Sequence, residues 1–116
     1  MKIADIVKLL DAEVLTGRES LDRDVKAACG SDMMSDVLAF VKDQGMLLTG
    51  LLNPQAVRTA EMMDMNSICF VRGKRPDDAT VALAAQKKIV LLTTKHRMFS
   101  ACGILYAAGV GAGGNA

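Results

Sequence analysis

Three short apolar runs in the second half of the chain carry its clearest pattern. They cover residues 46–50, 67–71 and 89–93, and none of them alternates apolar with polar positions. Strands that are apolar on both faces are typical of a parallel sheet covered by helices on both sides. The runs therefore predict three neighbouring parallel strands within a layered α/β domain.

Helix signals lie between these runs. Asn53 followed by Pro54 predicts the start of a helix that runs to about Asp64. Asp77 is the predicted N-cap of the next helix. The inward face of that helix is expected to carry Val81, Ala84 and Ala85. A last helix should bury one face, formed by Met98, Ala101, Cys102 and Leu105. This alternation predicts a βαβαβ core with right-handed crossovers.

The first half of the chain is expected to extend this core. A first helix places four apolar residues on one face, at Ile3, Ile6, Val7 and Leu10. Residues 13–16 predict a short strand that stops at Gly17. Residues 24–29 alternate, which predicts a strand with Val25, Ala27 and Cys29 on one face. Ser31 or Asp32 is the expected cap of a further helix, which ends at Gly45 and carries Met34, Val37, Leu38 and Val41.

Length and composition limit the classes of protein that fit. A chain of 116 residues with 51% hydrophobic residues suits one three-layer domain. We expect residues 1–110 to form that domain and residues 111–116 to be a flexible, Gly-rich tail. The net charge of +1 does not indicate a nucleic-acid partner. No apolar run approaches the roughly 18 residues that a membrane span requires.

The cysteines do not suggest a metal centre. Cys29, Cys69 and Cys102 are far apart in sequence, show no CxxC spacing and share no ligand spacing with the single histidine. We interpret them as reduced, mostly buried thiols of a cytoplasmic protein. An exposed, reactive thiol remains the alternative.

Candidate chemistry gathers where the predicted strands end. In a parallel sheet the loops after the strands share one edge, and ligands usually bind at that edge. Two of the three loops are basic, and two helices begin nearby. We therefore predict an anionic ligand there, with Lys74 and Lys95 at the rim. The predicted contacts are Thr49, Gly50, Asn53, Arg72, Gly73, Thr93 and Thr94. The alternative is a set of solvated loop charges partly neutralised by Asp77 and Asp78.

Signals for catalysis are weak. His96 is the only histidine and has no nearby carboxylate–hydroxyl pattern in the sequence. The terminal GVGAGG has no helix after it, and no GxxxxGK[ST] motif occurs. The sequence therefore predicts a protein that is not an enzyme and that needs no cofactor and no metal.

The order of these segments resembles the DRTGG domain family, which is similar to the N-terminal domain of HPr kinase. The matching segments are LLTGLLNPQAV, ICFVRGKRPDD, IVLLTTKHRMFSA and, upstream, VKAACGSDMMSDVLAFV. The signature residues differ. Leu52 and Asn53 stand where the family has Asp-Arg. Where it has Thr-Gly-Gly, this chain has Val71, Arg72 and Gly73.

The resemblance implies a regulatory, ligand-sensing module, often dimeric, without established catalytic residues. It also implies a single α/β domain with a mainly parallel sheet. Free-standing family members resemble accessories of metabolic or redox enzymes. Two hypotheses therefore stay open: a homodimeric sensor of a small anion, and a structural subunit that docks on a larger enzyme and binds no small molecule.

Overall fold

Five strands form one sheet in the order β1-β5-β4-β3-β2. The computed structural model describes residues 1–40 and 45–111. Its elements, in chain order, are α1 (Ile3–Leu9), β1 (Glu13–Thr16), a 3₁₀ turn (Arg18–Ser20), β2 (Ala28–Gly30), α2 (Met34–Phe40), β3 (Met46–Thr49), α3 (Pro54–Met62), β4 (Ser67–Phe70), α4 (Asp78–Gln86), β5 (Val90–Thr93) and α5 (Met98–Ala107).

The predicted parallel core is confirmed. β3 pairs in parallel with β4, and β4 pairs in parallel with β5. β2 extends the sheet in parallel beside β3, whereas β1 joins the far edge antiparallel to β5. The sheet is therefore mainly parallel, with one antiparallel edge strand.

Two hydrophobic clusters cover the two faces of the sheet and make the domain three-layered. Along β3, Leu48 faces the cluster that α1 and α5 complete, and Leu47 faces the cluster that α2, α3 and α4 complete. All four residues of each central strand are buried. This two-sided burial explains why these strands show no polar alternation in the sequence.

Both predicted helix caps in the second half are confirmed. The Asn53 side chain accepts a hydrogen bond from the Gln55 N–H at 3.0 Å, with proline in the first turn. The Asp77 carboxylate accepts from the Thr80 N–H at 2.9 Å. The prediction that Ala85 of α4 faces inward is wrong, because Ala85 is exposed. Thr80 of the same helix is buried instead.

The alternating strand predicted at residues 24–29 is shorter than expected. Only residues 28–30 pair as a strand, because the preceding residues make isolated bridges instead. Val25 and Ala28 pack on one cluster while Cys29 packs on the other. The period of two therefore breaks before β2, and Cys29 does not share a face with Val25.

The start of α2 also differs from the prediction. The helix begins at Met34, so Met33 holds the N-cap position rather than Ser31 or Asp32. The Met33 carbonyl accepts the first helical hydrogen bonds, from the N–H groups of Asp36 and Val37. Leu38 is exposed rather than inward, and Val41 lies outside the described residues.

The predicted tail begins with an ordered residue. Gly111 forms a parallel bridge with Ala27, and its carbonyl accepts a hydrogen bond from the Ala28 N–H at 3.0 Å. Residues 112–116 lie outside the described part of the chain. Within the described residues, no helix has the length and apolar character to cross a membrane.

Candidate ligand site at the carboxyl edge of the sheet

The loops after β3, β4 and β5 meet at one edge, as the sequence predicts. The Arg72 N–H donates to the His96 carbonyl at 2.8 Å, and the Gly73 N–H donates to the Thr94 carbonyl at 2.7 Å. The Lys74 ammonium donates to the Gly50 carbonyl at 3.3 Å. The loop after β4 is therefore tied to the loops on both of its sides, and its basic residues are held at the centre of this edge.

Arg72 adopts a backbone conformation that favours glycine. Its φ is 63°, and Gly73 follows with a φ of 68°. A side chain in this left-handed region costs about 1–2 kcal/mol. Arg72 also stands where the resemblance places the first glycine of Thr-Gly-Gly. The two hydrogen bonds to the next loop hold this conformation in place.

The other left-handed residues have an ordinary explanation. Asp11, Asp64 and Lys88 also have positive φ, and each follows the end of a helix. There the next N–H returns to a carbonyl five residues earlier, as in the Schellman motif. Arg72 follows a strand and caps no helix. Its strained backbone is therefore a local feature of the edge.

The Arg72 side chain is exposed and has no carboxylate within 4.0 Å in the described structure. The ion pairs there are Lys2–Asp24, Arg75–Glu13 and Lys87–Glu61. Its guanidinium instead lies over the end of β3, where a Cβ built on Gly50 would be 3.5 Å from its Nη2. The guanidinium of Arg72 thus faces the loop after β3 and has no direct ionic partner among the described residues.

Asp32 completes this part of the edge and was missed by the sequence reasoning. Its Oδ1 accepts from the Gly50 N–H at 2.6 Å and from the Thr49 hydroxyl at 3.0 Å. The same built Cβ on Gly50 would lie 3.5 Å from that oxygen. A signal was available: the loop after β2 ends at the same edge as the other loops after parallel strands, and Asp32 lies in it.

The three predicted threonines hold loops together. The Thr93 hydroxyl donates to the Lys74 carbonyl at 2.6 Å, and the Thr94 hydroxyl donates to the Leu10 carbonyl at 2.7 Å. The Thr49 hydroxyl donates to Asp32 and accepts from the Leu51 N–H. All three hydroxyl protons are therefore used within the fold.

The predicted contacts fall into two groups. Thr49 and Gly50 bind the Asp32 carboxylate, and the Arg72 guanidinium lies beside Gly50. Gly73, Thr93 and Thr94 instead line a polar cavity of about 420 Å3 on the β1 side, together with Asp11, Ala12, Glu13, Arg75 and Lys95. Asn53 belongs to neither group, since its side-chain oxygen is used in the cap of α3.

The polar cavity contains an ion pair. Arg75 donates to both oxygens of Glu13, at 3.0 Å and 2.6 Å. The hydrogen bond from Arg75, with its positive charge, lowers the pKa of Glu13, and the same contact raises the pKa of Arg75. An acidic group therefore shares this cavity with its basic residues, and the charge of Arg75 is already paired with it.

A second, apolar region lies between α5 and the edge strand β2. We call it the α5–β2 face. Its cavity has a volume of about 330 Å3 and is lined by Ala28, Gly30, Leu48, Phe99, Cys102, Gly103, Leu105, Tyr106, Val110 and Gly111. Phe99 is 91% exposed and Tyr106 is 73% exposed. Large aromatic side chains this exposed are typical of a surface that meets another protein.

The three thiols are free, and their surroundings suppress the thiolate form. Burial raises the pKa of Cys69 to about 12. Burial also raises the pKa of the half-buried Cys29 and Cys102. Among the described residues, no three His, Cys, Asp or Glu side chains cluster in a way that would hold a metal ion.

The fold and this edge define a small α/β domain with a mainly parallel sheet and a basic rim where its strands end. The DRTGG domain family model matches residues 5–108, and the chain belongs to that family. The predicted family and fold class are therefore confirmed. No curated protein matches the chain in a sequence comparison.

A solved structure has the same fold. It is the regulatory region of Clostridium perfringens pyrophosphatase, which comprises CBS and DRTGG domains and is complexed with the activator diadenosine tetraphosphate. The TM-score is 0.73 at 18% sequence identity, over 90% of this chain and 45% of that chain. The present chain thus spans less than half of that regulatory region.

Proposed function

We propose that this domain is a non-catalytic regulatory module that senses a small anionic ligand at the carboxyl edge of its sheet. Membership of the DRTGG family supports the regulatory role. The similar pyrophosphatase region, which is complexed with an anionic nucleotide activator, supports the class of ligand. That region also contains CBS domains, so its activator assigns no contact to residues of this chain.

The proposal rests on the surroundings and the backbone conformation of Arg72. Its guanidinium is exposed, lacks a carboxylate within 4.0 Å in the described structure, and sits on a backbone conformation that glycine would adopt more easily. An arginine in a glycine position weakens the fold locally, so a role outside folding explains it best. A planar guanidinium is well suited to grip a phosphate or carboxylate with two parallel hydrogen bonds.

A thermal-shift screen tests this function. The panel contains inorganic phosphate, adenine nucleotides including diadenosine tetraphosphate, and carboxylate metabolites, each compared with chloride at equal ionic strength. A ligand present at 100 times its Kd should stabilise the fold by about 2.7 kcal/mol. The proposal is rejected if no anion raises the melting temperature above the chloride control.

We further propose that the α5–β2 face joins two copies of the chain in a homodimer. The specific observation is the pairing of two exposed aromatic side chains with an apolar cavity beside an edge strand. Burying this patch on a twin would remove its apolar surface from water, and a twofold interface presents the same patch from both sides. Light scattering at micromolar concentration should give twice the monomer mass of 12.3 kDa.

The competing role is an accessory subunit that docks on a metabolic or redox enzyme and binds no small molecule. The same apolar face favours it. A monomeric mass in light scattering, together with no response to any anion, would support docking on another protein over both proposals above. A cytoplasmic location stays a prediction from the three free thiols.

A further inference from the structure

The Asp32 carboxylate is bound by two hydrogen-bond donors at the end of β3. One of its oxygens accepts both the Gly50 N–H and the Thr49 hydroxyl, at 2.6 Å and 3.0 Å. The Arg72 guanidinium lies on the same side of Gly50, and the Lys74 ammonium binds the Gly50 carbonyl. Two donors thus bind one carboxylate that the chain itself supplies, and two cations lie beside the same glycine.

We propose that Asp32 is an internal competitor for this site, and that a phosphate group binds by displacing its carboxylate. The proposal rests on the anion-sensing function proposed above and names the part of the edge where the ligand binds. The displaced Asp32 returns to water, and the phosphate oxygens take over the Gly50 N–H and the Thr49 hydroxyl. Arg72 then gains the direct ionic partner that it lacks in the described structure.

The charge balance favours phosphate over a carboxylate ligand. With Asp32 in place, one negative charge and the positive charges of Arg72 and Lys74 lie around Gly50. A monocarboxylate would only replace Asp32 with an equal charge, and it would have to compete with a group that the chain holds nearby. A phosphate group brings more negative charge and three acceptor oxygens, so it can engage the Gly50 N–H and Arg72 together.

Displacement of Asp32 also provides a route from the ligand to a helix. Asp32 lies between the Ser31 N–H, which is bonded to the Leu48 carbonyl at 3.0 Å, and α2, which begins at Met34. The Ser31 hydroxyl accepts from the Met33 N–H and shapes this turn. Release of the Asp32 carboxylate frees the turn that leads into α2, while the buried Met34 and Val37 keep the helix on the sheet.

Phosphate titration followed by amide NMR tests the exchange. The variants are Asp32→Asn and a matched control, Asp36→Asn, which removes the same charge from an exposed position in the first turn of α2. Asparagine keeps an oxygen for the Gly50 N–H, and Asp32→Ser is a second variant should Asp32→Asn not fold. Inorganic phosphate is the probe, with chloride at equal ionic strength as the reference.

We expect Asp32→Asn to bind phosphate about tenfold more tightly than the wild type, since a charge-assisted internal bond no longer competes. Asp36→Asn should stay within about twofold, because an exposed distant charge is screened. The Gly50 amide signal should move on phosphate binding in the wild type and in Asp32→Asn. Adding Arg72→Ala to Asp32→Asn should remove the gain in phosphate affinity.

Three results would overturn the proposal in distinguishable ways. Equal phosphate affinity for Asp32→Asn and Asp36→Asn rejects the competition but leaves the anion site intact. Shifts confined to Thr94 and Lys95 place the ligand in the polar cavity and reject the Gly50 site alone. If phosphate moves no amide of the carboxyl edge in any variant, both the exchange and the anion-sensing function are rejected for this ligand class.

Discussion

The carboxyl edge and the α5–β2 face differ in chemistry and in construction. The edge is made of loops that hydrogen bonds hold together and that carry the charged side chains of Asp32, Arg72 and Lys74. The face is made of a helix and a strand, and its lining is almost entirely apolar. The edge is suited to a small charged ligand, whereas the face is suited to another protein surface.

The two regions adjoin at the segment after β2. Gly30 lines the apolar cavity, and Asp32, two residues later, bonds to the end of β3. A Cβ built on Gly30 would lie 2.6 Å from the Cys102 Sγ, so α5 packs tightly against this segment. A ligand that moves Asp32 would therefore act two residues from the lining of the proposed dimer contact.

The largest expected effect is on dimerisation through the α5–β2 face. Replacing both Phe99 and Tyr106 with serine should weaken the homodimer by more than about 100-fold, since aromatic hot spots each contribute about 2 kcal/mol or more. The stability of the monomer should change little because both side chains are exposed. Sedimentation equilibrium measures the dimer Kd.

Met62→Ser is the control for that double variant, because Met62 is also exposed but lies on α3. It should leave the dimer unchanged. A dimer that survives the Phe99 and Tyr106 changes, or that dissociates in Met62→Ser, would place the interface elsewhere.

The next effect ranks the cations of the edge. Arg72→Ala should weaken phosphate binding by roughly 10- to 100-fold, as expected for about 1.5–3 kcal/mol from hydrogen bonds to a charged group. Lys74→Ala should weaken it by only about threefold, because its ammonium contributes charge without a planar fork. Isothermal titration calorimetry measures both, with the exposed Arg58→Ala on α3 as the control. A larger loss in Lys74→Ala than in Arg72→Ala would reverse the assignment.

The smallest effect concerns the polar cavity and appears only in acid. Arg75 lowers the pKa of Glu13, so the pair stabilises the fold above the ordinary Glu pKa near 4.5. That contribution is lost as the pH falls through the lowered pKa, when Glu13 takes up its proton. An NMR titration of the Glu13 carboxyl should show the lowered pKa in the wild type and a return towards 4.5 in Arg75→Ala. An unchanged pKa in Arg75→Ala would mean that the pair is not formed in solution.

The strand core could be predicted because its physics is local. Each central strand is a short apolar run buried on both faces, and the helices after β3 and β4 begin at caps, Asn53 and Asp77, that bond their own backbone. These signals depend on neighbours in sequence. The meeting of the three loops then followed from parallel pairing alone.

The rest depended on contacts between distant residues. The Asp32 carboxylate accepts from Gly50, which lies 18 residues away. Since that contact leaves no local pattern, the sequence around Asp32 indicated only a helix cap. The alternation of residues 24–29 broke because the bridges to Lys2 and Gly111 replaced strand pairing. The left-handed backbone of Arg72 is set by His96 and Thr94, which lie on another loop.

The comparison of wild type with Arg72→Gly tests the central claim, that Arg72 is kept for a ligand and not for the fold. Glycine adopts the left-handed backbone without strain, so the free energy of unfolding of the variant should rise by about 1 kcal/mol and its melting temperature by roughly 4 °C. The variant should also lose the stabilisation that phosphate gives the wild type. Lys88→Gly, at the left-handed end of α4, should gain similar stability and keep the phosphate response. An Arg72→Gly protein that is less stable than the wild type, or that phosphate still stabilises to the same extent, would contradict the account.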